Sequence, residues 1–370
     1  MALHRQMVAN MISQMNREMR DMNAAGDAAW TATIDSVRPG RGQKPGGPLT
    51  GRAVAVVLGT ILVSVACSTE SPDQNASAAE PGAGAVTSRE AQVDWKAVER
   101  AMGRTGSMQP GDVYRFSMPR SDLTVTVEDV RVRPALALGS WIAFKAIPEG
   151  AMAMGDLVLK ESEVAPVMSR LQEGGIEQTA VHHHVLHETP RVVYMHVHAH
   201  GDPVKIAGGV RAALALTSTP PQAPSAPAST AELGIDTAQI AAILGHAGRV
   251  NGGVYQVSVP RAETIRDRGQ EIPASMGLGT AINLQPTGGG QAAITGDFVM
   301  VAGEVNVVIR TLREHGIEVT SLHNHLLTEE PRLFFMHFWA NDDALKLARG
   351  LRAALDAMDG GRGAPGSITP

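Results

Sequence analysis

The chain has 370 residues, 44% hydrophobic and 19% charged, enough for one large or two ordinary domains with packed cores. A formal net charge of −5 offers no basic surface to neutralise phosphates, and 4% aromatic residues leave little for base stacking, so no nucleic-acid partner is expected. The single cysteine excludes an internal disulfide and any Cys-x-x-Cys metal cluster.

Residues 1–50 read as a disordered or over-extended N-terminus, with translation starting near Leu49 or Val54. Met7, Met11, Met15, Met19 and Met22 fall there at helical spacing, a soft stripe suited to a metal or a partner. Residues 51–67 hold Arg52, an uncharged and mostly apolar run from Ala53 to Ala66, and Cys67. That run has the length of a signal-peptide core and is too short for a spanning helix. A small residue and a cysteine ending such a run resemble a bacterial lipobox, which makes Cys67 the candidate lipidation site; Ser64 departs from the pattern. The alternative is a buried strand ending in an inert thiol. With Cys67 lipidated, the protein is extracytoplasmic, anchored to the membrane through an N-terminal lipid, or secreted.

Residues 68–92 are rich in Ser, Pro, Ala and Gly and read as a flexible tether. The body then repeats itself at an offset of about 141 residues. "HHHVLHETPRVVYMHVHA" (182–199) aligns without a gap on "HNHLLTEEPRLFFMHFWA" (323–340), Gly155-Asp156 on Gly296-Asp297, and Pro119-Arg120 on Pro260-Arg261. Repeat domains are expected at 93–217 and 231–358, with a Pro/Ala/Ser linker at 218–230 and a disordered tail at 359–370.

Each copy predicts a short helix, a β-meander and a β-α-β-β-α unit, an α+β class with two tandem homologous repeats. Asp94 and Asp236 are N-caps of the first helix. "VYRFSMP", "LTVTVEDVRV" and "SWIAFKAI" read as strands, with another after Gly155-Asp156. Val164, Val167, Met168 and Leu171 mark a helix that Gly174-Gly175 stops, and Asp202-Pro203 caps the last one. The strand–helix–strand portion predicts a right-handed parallel crossover followed by an antiparallel hairpin.

Residues two apart on a strand share a face. A three-residue loop, Glu188-Thr189-Pro190, puts His182, His184, His196, His198 and His200 on one face with His182 opposite His196, and sends Val181 and Met195 toward the helices. The second copy keeps three of these histidines, as His323, His325 and His337; His183, His187, His198 and His200 become Asn, Thr, Trp and Asn. The recurring triads are candidate ligands for Zn²⁺, Cu²⁺, Fe²⁺, Ni²⁺ or, less comfortably, Mn²⁺. Glu188 and Glu329 are the candidate fourth ligand or general base. The His-x-His-x3-Glu spacing resembles the first cupin motif, but cupins are all-β and this chain is not. A metal-free pocket for a small polar ligand and a hydrogen-bonded structural face remain as alternatives. Arg191 and Arg332, in a shared Glu-x-Pro-Arg turn, either bind an anion or brace the loop through the neighbouring Glu.

The repeated H-x-H-x-L-x-E-x-P-R-x-x-(Y/F)-M-H, with its lipobox-like leader, resembles the LppY/LpqO family of bacterial envelope lipoproteins over about residues 90 to 356. The resemblance implies an envelope lipoprotein built from this duplicated domain and no assigned activity. Three functions stay open: a binder of a divalent transition metal or small polar ligand, a metal-dependent hydrolase or oxygenase using Glu188 or Glu329, and a structural envelope module that docks an as yet unknown protein.

Overall fold

A computed structural model describes residues 93–221 and 233–360. The Met stripe, the leader with Cys67, the tether, most of the linker and most of the tail lie outside the described residues. The first repeat runs α1 (Trp95–Met102), β1 (Ser107–Gln109), β2 (Val113–Pro119), β3 (Val125–Val127), β4 (Val130–Val132), α2 (Pro134–Ala137), β5 (Gly139–Ile147), β6 (Gly150–Lys160), α3 (Glu161–Glu173), β7 (Glu177–His182), β8 (Glu188–Thr189), β9 (Val192–Gly201) and α4 (Pro203–Leu214). The second runs α5 (Thr237–Leu244), β10 (Arg249–Asn251), β11 (Val254–Pro260), β12 (Arg266–Asp267), β13 (Gln270–Glu271), a 3-10 turn (Ala274–Met276), β14 (Gly279–Gly288), β15 (Gln291–Met300), α6 (Ala302–Glu314), β16 (Glu318–His323), β17 (Glu329–Glu330), β18 (Phe334–Asp343) and α7 (Ala344–Gly360). The class is α+β, one module used twice.

Local chemistry sets the helix ends. The Asp94 carboxylate accepts from the Lys96 and Ala97 amides, and Asp236 accepts from Gln239. Asp202 accepts from the Val204 and Lys205 amides ahead of Pro203 at the first helical position. Gly174 and the positive-φ Gly175 close α3.

Each repeat forms a six-stranded antiparallel sheet, ordered β1-β2-β5-β6-β9-β7 and β10-β11-β14-β15-β18-β16. Strands β6 and β7 run in the same direction, as a crossover through α3 requires, with β9 inserted antiparallel between them. The expected meander is interrupted. "LTVTVEDVRV" splits at Glu128, which has φ 52°, into β3 and β4. This hairpin leaves the main sheet and pairs with β8 in a three-stranded sheet, as β13-β12-β17 do in the second repeat. The strand expected after Gly155-Asp156 begins earlier, at Gly150, and passes through that dipeptide. A Cβ on Gly155 would lie 2.7 Å from the Trp141 carbonyl oxygen, which explains the recurrent glycine.

The segment between β7 and β9 is not the three-residue turn expected. Residues 183–191 make a longer excursion because Glu188 and Thr189 pair with β3. Together with a bulge at Thr179, this places His182 opposite Tyr194 and Ala180 opposite His196, a shift of register that preserves the shared face. Val181 does not pack against the helices: on edge strand β7 it is 46% exposed, and Leu322 on β16 is 49% exposed. The last helix reaches Gly360, two residues into the expected tail. The start of the linker packs on the first repeat, where Pro220 accepts from Arg104 and the Ser218 amide donates to Glu163.

One face of each sheet carries the helices. In the first repeat Phe116, Phe144, Leu157, Met195 and Val197 pack with Val98, Val167, Leu171 and Val210. The opposite faces meet across the repeats. Met152 and Met154 pack with Ile265, Ile272, Leu326 and Phe335, while Val127, Val158 and Tyr194 pack with Val254 and Trp339. Burying each such side chain is worth roughly 1.5–3 kcal/mol, so the repeats form one body around their shared interior.

Candidate metal centre

The histidines lie in that interior. On β9 the odd residues Met195, Val197 and Ala199 face the helices, so His196 and His198 face the second repeat. Asp156 stands directly across the ladder from His196, and Asp297 from His337. His184 and His325 sit just beyond β7 and β16, where the bulged threonines reach between repeats. Thr179 Oγ1 donates to the His325 carbonyl and Thr320 Oγ1 to the His184 carbonyl, each at 2.6 Å.

All six recurring histidines meet there, related by a pseudo-two-fold. His182 stacks on its counterpart His323 with ring centroids 3.7 Å apart; His184 stands 3.7 Å from His337 and His196 3.9 Å from His325. The shortest histidine–histidine contacts thus join opposite repeats. Tyr194 stacks on His184 at 3.3 Å and Phe335 on His325 at 3.5 Å, closing the two ends.

Burial holds these imidazoles below their ordinary pKa, with His325 down to about 3. For His182, His184, His196 and His323 the neighbouring imidazoles add to the same depression. The rings are therefore neutral, with lone pairs to donate. Burial, and then the charge of Asp297, pushes Asp156 up to about 8; burial pushes Asp297 up to about 6. His337 Nδ1 donates to the Gly296 carbonyl at 2.6 Å, and His196 bonds the backbone of Gly155. These bonds fix a tautomer with Nε2 free to ligate, the usual bracing of a metal-bound histidine.

Within the six-ring cluster, eight buried imidazole nitrogens lack a well-aligned hydrogen bond among the described residues: both of His182, both of His325, and Nε2 of His184, His196, His323 and His337. Of these, only His184 Nε2 and His325 Nε2 have a carboxylate within 4 Å. At about 1–3 kcal/mol for each unmet group, they would cost an amount comparable to the whole stability of a domain, about 5–15 kcal/mol. Three histidine sets each bring ligand atoms within 4.8 Å of one another: His182/His323/His337, His182/His184/His196 and His196/His323/His325. Two of the three mix the repeats. Neutral nitrogen donors converging from braced rings are the donor set of a transition-metal ion.

The other sequence candidates lie apart from the rings. Glu188 and Glu329 are buried in the small sheets and belong to none of the ion-capable sets. Glu329 accepts from the Leu333 amide at 3.0 Å and from Arg332 Nη1 at 3.4 Å, while Glu188 Oε1 lies 3.2 Å from His183 Nδ1. Arg332 also donates to the Leu326 and Leu327 carbonyls, bracing its loop; Arg191 is exposed. His183 Nδ1 bonds the Val192 carbonyl as Asn324 Nδ2 bonds that of Leu333, so the exchange of His for Asn keeps one brace. Asp156 and Asp297 are the carboxylates nearest the rings, 3.4 Å from His184 Nε2 and 3.0 Å from His325 Nε2. Sequence reasoning noted their recurrence but passed them over as site residues.

Among known proteins, the family described as Domain of Unknown Function (DUF1259) matches the chain twice, at residues 96–216 and 238–357. No curated protein matches. Two solved structures are similar at low level. The trimeric bacterial microcompartment shell protein PduB is 13% identical over 68% of this chain and 89% of its own, with a TM-score of 0.18. EtuB from Clostridium kluyveri is 10% identical over 69% and 91%, with a TM-score of 0.17. Values this low carry no inference.

Proposed function

Because the chain belongs to the Domain of Unknown Function (DUF1259) family, its activity has to come from its own site, and we propose that it binds a divalent transition metal where its two repeats meet. The observation that carries this reading is the convergence of six buried rings whose inward nitrogens lack well-aligned hydrogen bonds, both nitrogens of His182 and Nε2 of His196, His323 and His337 among them. A small polar ligand fits less well. The rings already stand 3.7–3.9 Å apart across the repeats, which leaves little room for an organic ligand between them. Imidazole donors suit Zn²⁺, Cu²⁺, Ni²⁺ and Fe²⁺, and Mn²⁺ ranks lowest in affinity.

Binding is favoured over hydrolase or oxygenase chemistry. Glu188 and Glu329 face His183 and Arg332 instead of the rings. The lipobox-like leader and the resemblance to LppY/LpqO lipoproteins support a place outside the cytoplasm, held by lipid on Cys67. The protein would then hold metal at the cell envelope.

The test loads the full untagged chain, carrying Cys67→Ser, with each ion and counts metal after exhaustive dialysis. Stoichiometric Zn²⁺ or Cu²⁺ is expected, and His337→Ala should weaken binding by at least about 100-fold, since loss of even an outer partner costs 10–100-fold. No metal retained under any loading, or unchanged affinity in His337→Ala, overturns the reading. In fractionated cells the parent should sediment with membranes and Cys67→Ser should not; identical partition would overturn the anchor.

A further inference from the structure

Two histidines that do not recur, His198 and His200, stand apart from the six. They sit at i and i+2 on β9, share a face, and meet Asp267 on β12 of the second repeat. His200 Nε2 lies 3.1 Å from Asp267 Oδ2 and His198 Nε2 3.6 Å from the same oxygen. Ligands held tetrahedrally at 2.0–2.1 Å from Zn²⁺ stand about 3.3 Å apart, so these separations match the edges of a coordination shell. All three ligand atoms lie within 4.8 Å of one another.

Asp267 and His198 are each oriented from behind. Thr328 Oγ1 donates to Asp267 Oδ1 at 2.5 Å and leaves Oδ2 toward the rings. Glu177 Oε2 stands 3.6 Å from His198 Nδ1. Asp267 is fully buried, His198 is 3% exposed, and His198 Nε2 has no hydrogen-bond partner. A carboxylate, an imidazole nitrogen left unsatisfied at its edge, and a second imidazole at hydrogen-bond distance are costly to bury without a cation between them.

The pseudo-symmetric position supplies the contrast. There the second repeat has Trp339 and Asn341 in place of His198 and His200. Opposite them, Val127 takes the place of Asp267, pairing with Glu188 as Asp267 pairs with Glu329. Val127 and Trp339 lie in one apolar cluster. On one side of the molecule all three residues are metal-ligand types; on the other, two belong to an apolar core and the third is an asparagine. The exchange is concerted.

We propose that His198, His200 and Asp267 form a second divalent-metal site, of the two-imidazole, one-carboxylate type, which joins the two repeats on one side only. Three protein donors leave a fourth coordination position open, the arrangement of Zn²⁺ or Fe²⁺ sites that accept a further ligand.

The probe is Zn²⁺, titrated into the full metal-free chain and into His200→Asn and Asp267→Asn, with equivalents counted by elemental analysis. His200→Asn installs the residue already present at the matching position 341, and either variant alone decides the outcome. Each should bind one equivalent fewer than the parent while the remaining equivalents keep parental affinity. Thr328→Ala should weaken that one equivalent by about 10–100-fold. Parental stoichiometry in either variant, or loss only of equivalents that His337→Ala also removes, overturns the second site while sparing the six-histidine centre.

Discussion

His182 illustrates what the centre asks of a single residue. Both its nitrogens are buried without a partner, yet its ring stacks on His323. As a hydrogen-bonded structural residue it should resist substitution, whereas as a ligand it burdens the metal-free fold. Replacing an unsatisfied polar ring by an apolar one of similar shape is neutral or stabilising, by up to about 1–3 kcal/mol. Metal-free His182→Phe is therefore expected to melt at or above the parent in a calorimeter, and to have lost most of its metal affinity. A clear drop in the metal-free melting temperature would favour a structural role. His198 and His200 show the converse: recurrence screens for what two copies share and is blind to a site built in one.

At the scale of elements, the same buried ion network anchors a helix to the sheet in each repeat. Arg120, fully buried after β2, donates through Nη1 and Nη2 to both oxygens of Glu163 in the first turn of α3, at 2.8 and 3.2 Å. Arg261 and Glu304 repeat this at 2.8 and 3.1 Å. Burial alone would raise Glu163, but the hydrogen bonds from Arg120 and the Lys160 amide hold it below its usual value. Arg120→Met should cost about 3–5 kcal/mol in chemical denaturation, because it strands the carboxylate. A depressed acid stabilises above its unfolded pKa and loses that contribution as pH falls through the folded value. The gap between parent and Arg120→Met should therefore narrow as pH drops below 4.5, the ordinary value for Glu163; a gap constant with pH would mean the ion pair is not its source.

Elements of this size were legible in the sequence because capping and periodicity are local. Asp94, Asp202 and Gly174-Gly175 mark helix ends whatever surrounds them. The register of β7 was not legible. It depends on a bulge at Thr179 and on Glu188 pairing with β3, and both follow from tertiary contacts that no local pattern encodes. The face shared by His182 and His196 was predicted because a shift by two residues preserves parity. Asp156 was passed over because its partner across the ladder, His196, is far away in sequence.

For the whole molecule, duplication explains how histidines with neutral, unpaired nitrogens come to lie inside a protein. Either repeat alone would leave its triad and the apolar faces around Met152 or Trp339 against water. Joined, the repeats bury both triads against one another and create donor sets that neither owns, such as His196 with His323 and His325. The pseudo-two-fold axis passes by the stacked His182 and His323, so the centre belongs to the junction. Substitutions in one repeat should then be felt by donors in the other. The most direct measurement is a double-mutant cycle on Zn²⁺ affinity with His196→Ala in the first repeat and His325→Ala in the second, rings 3.9 Å apart. A shared centre predicts that each single substitution weakens the same equivalents and that the double falls well short of additive. If each single substitution instead abolishes its own half of the bound metal, leaves the other half at parental affinity, and the two losses add, then the repeats bind separately and the shared centre is wrong.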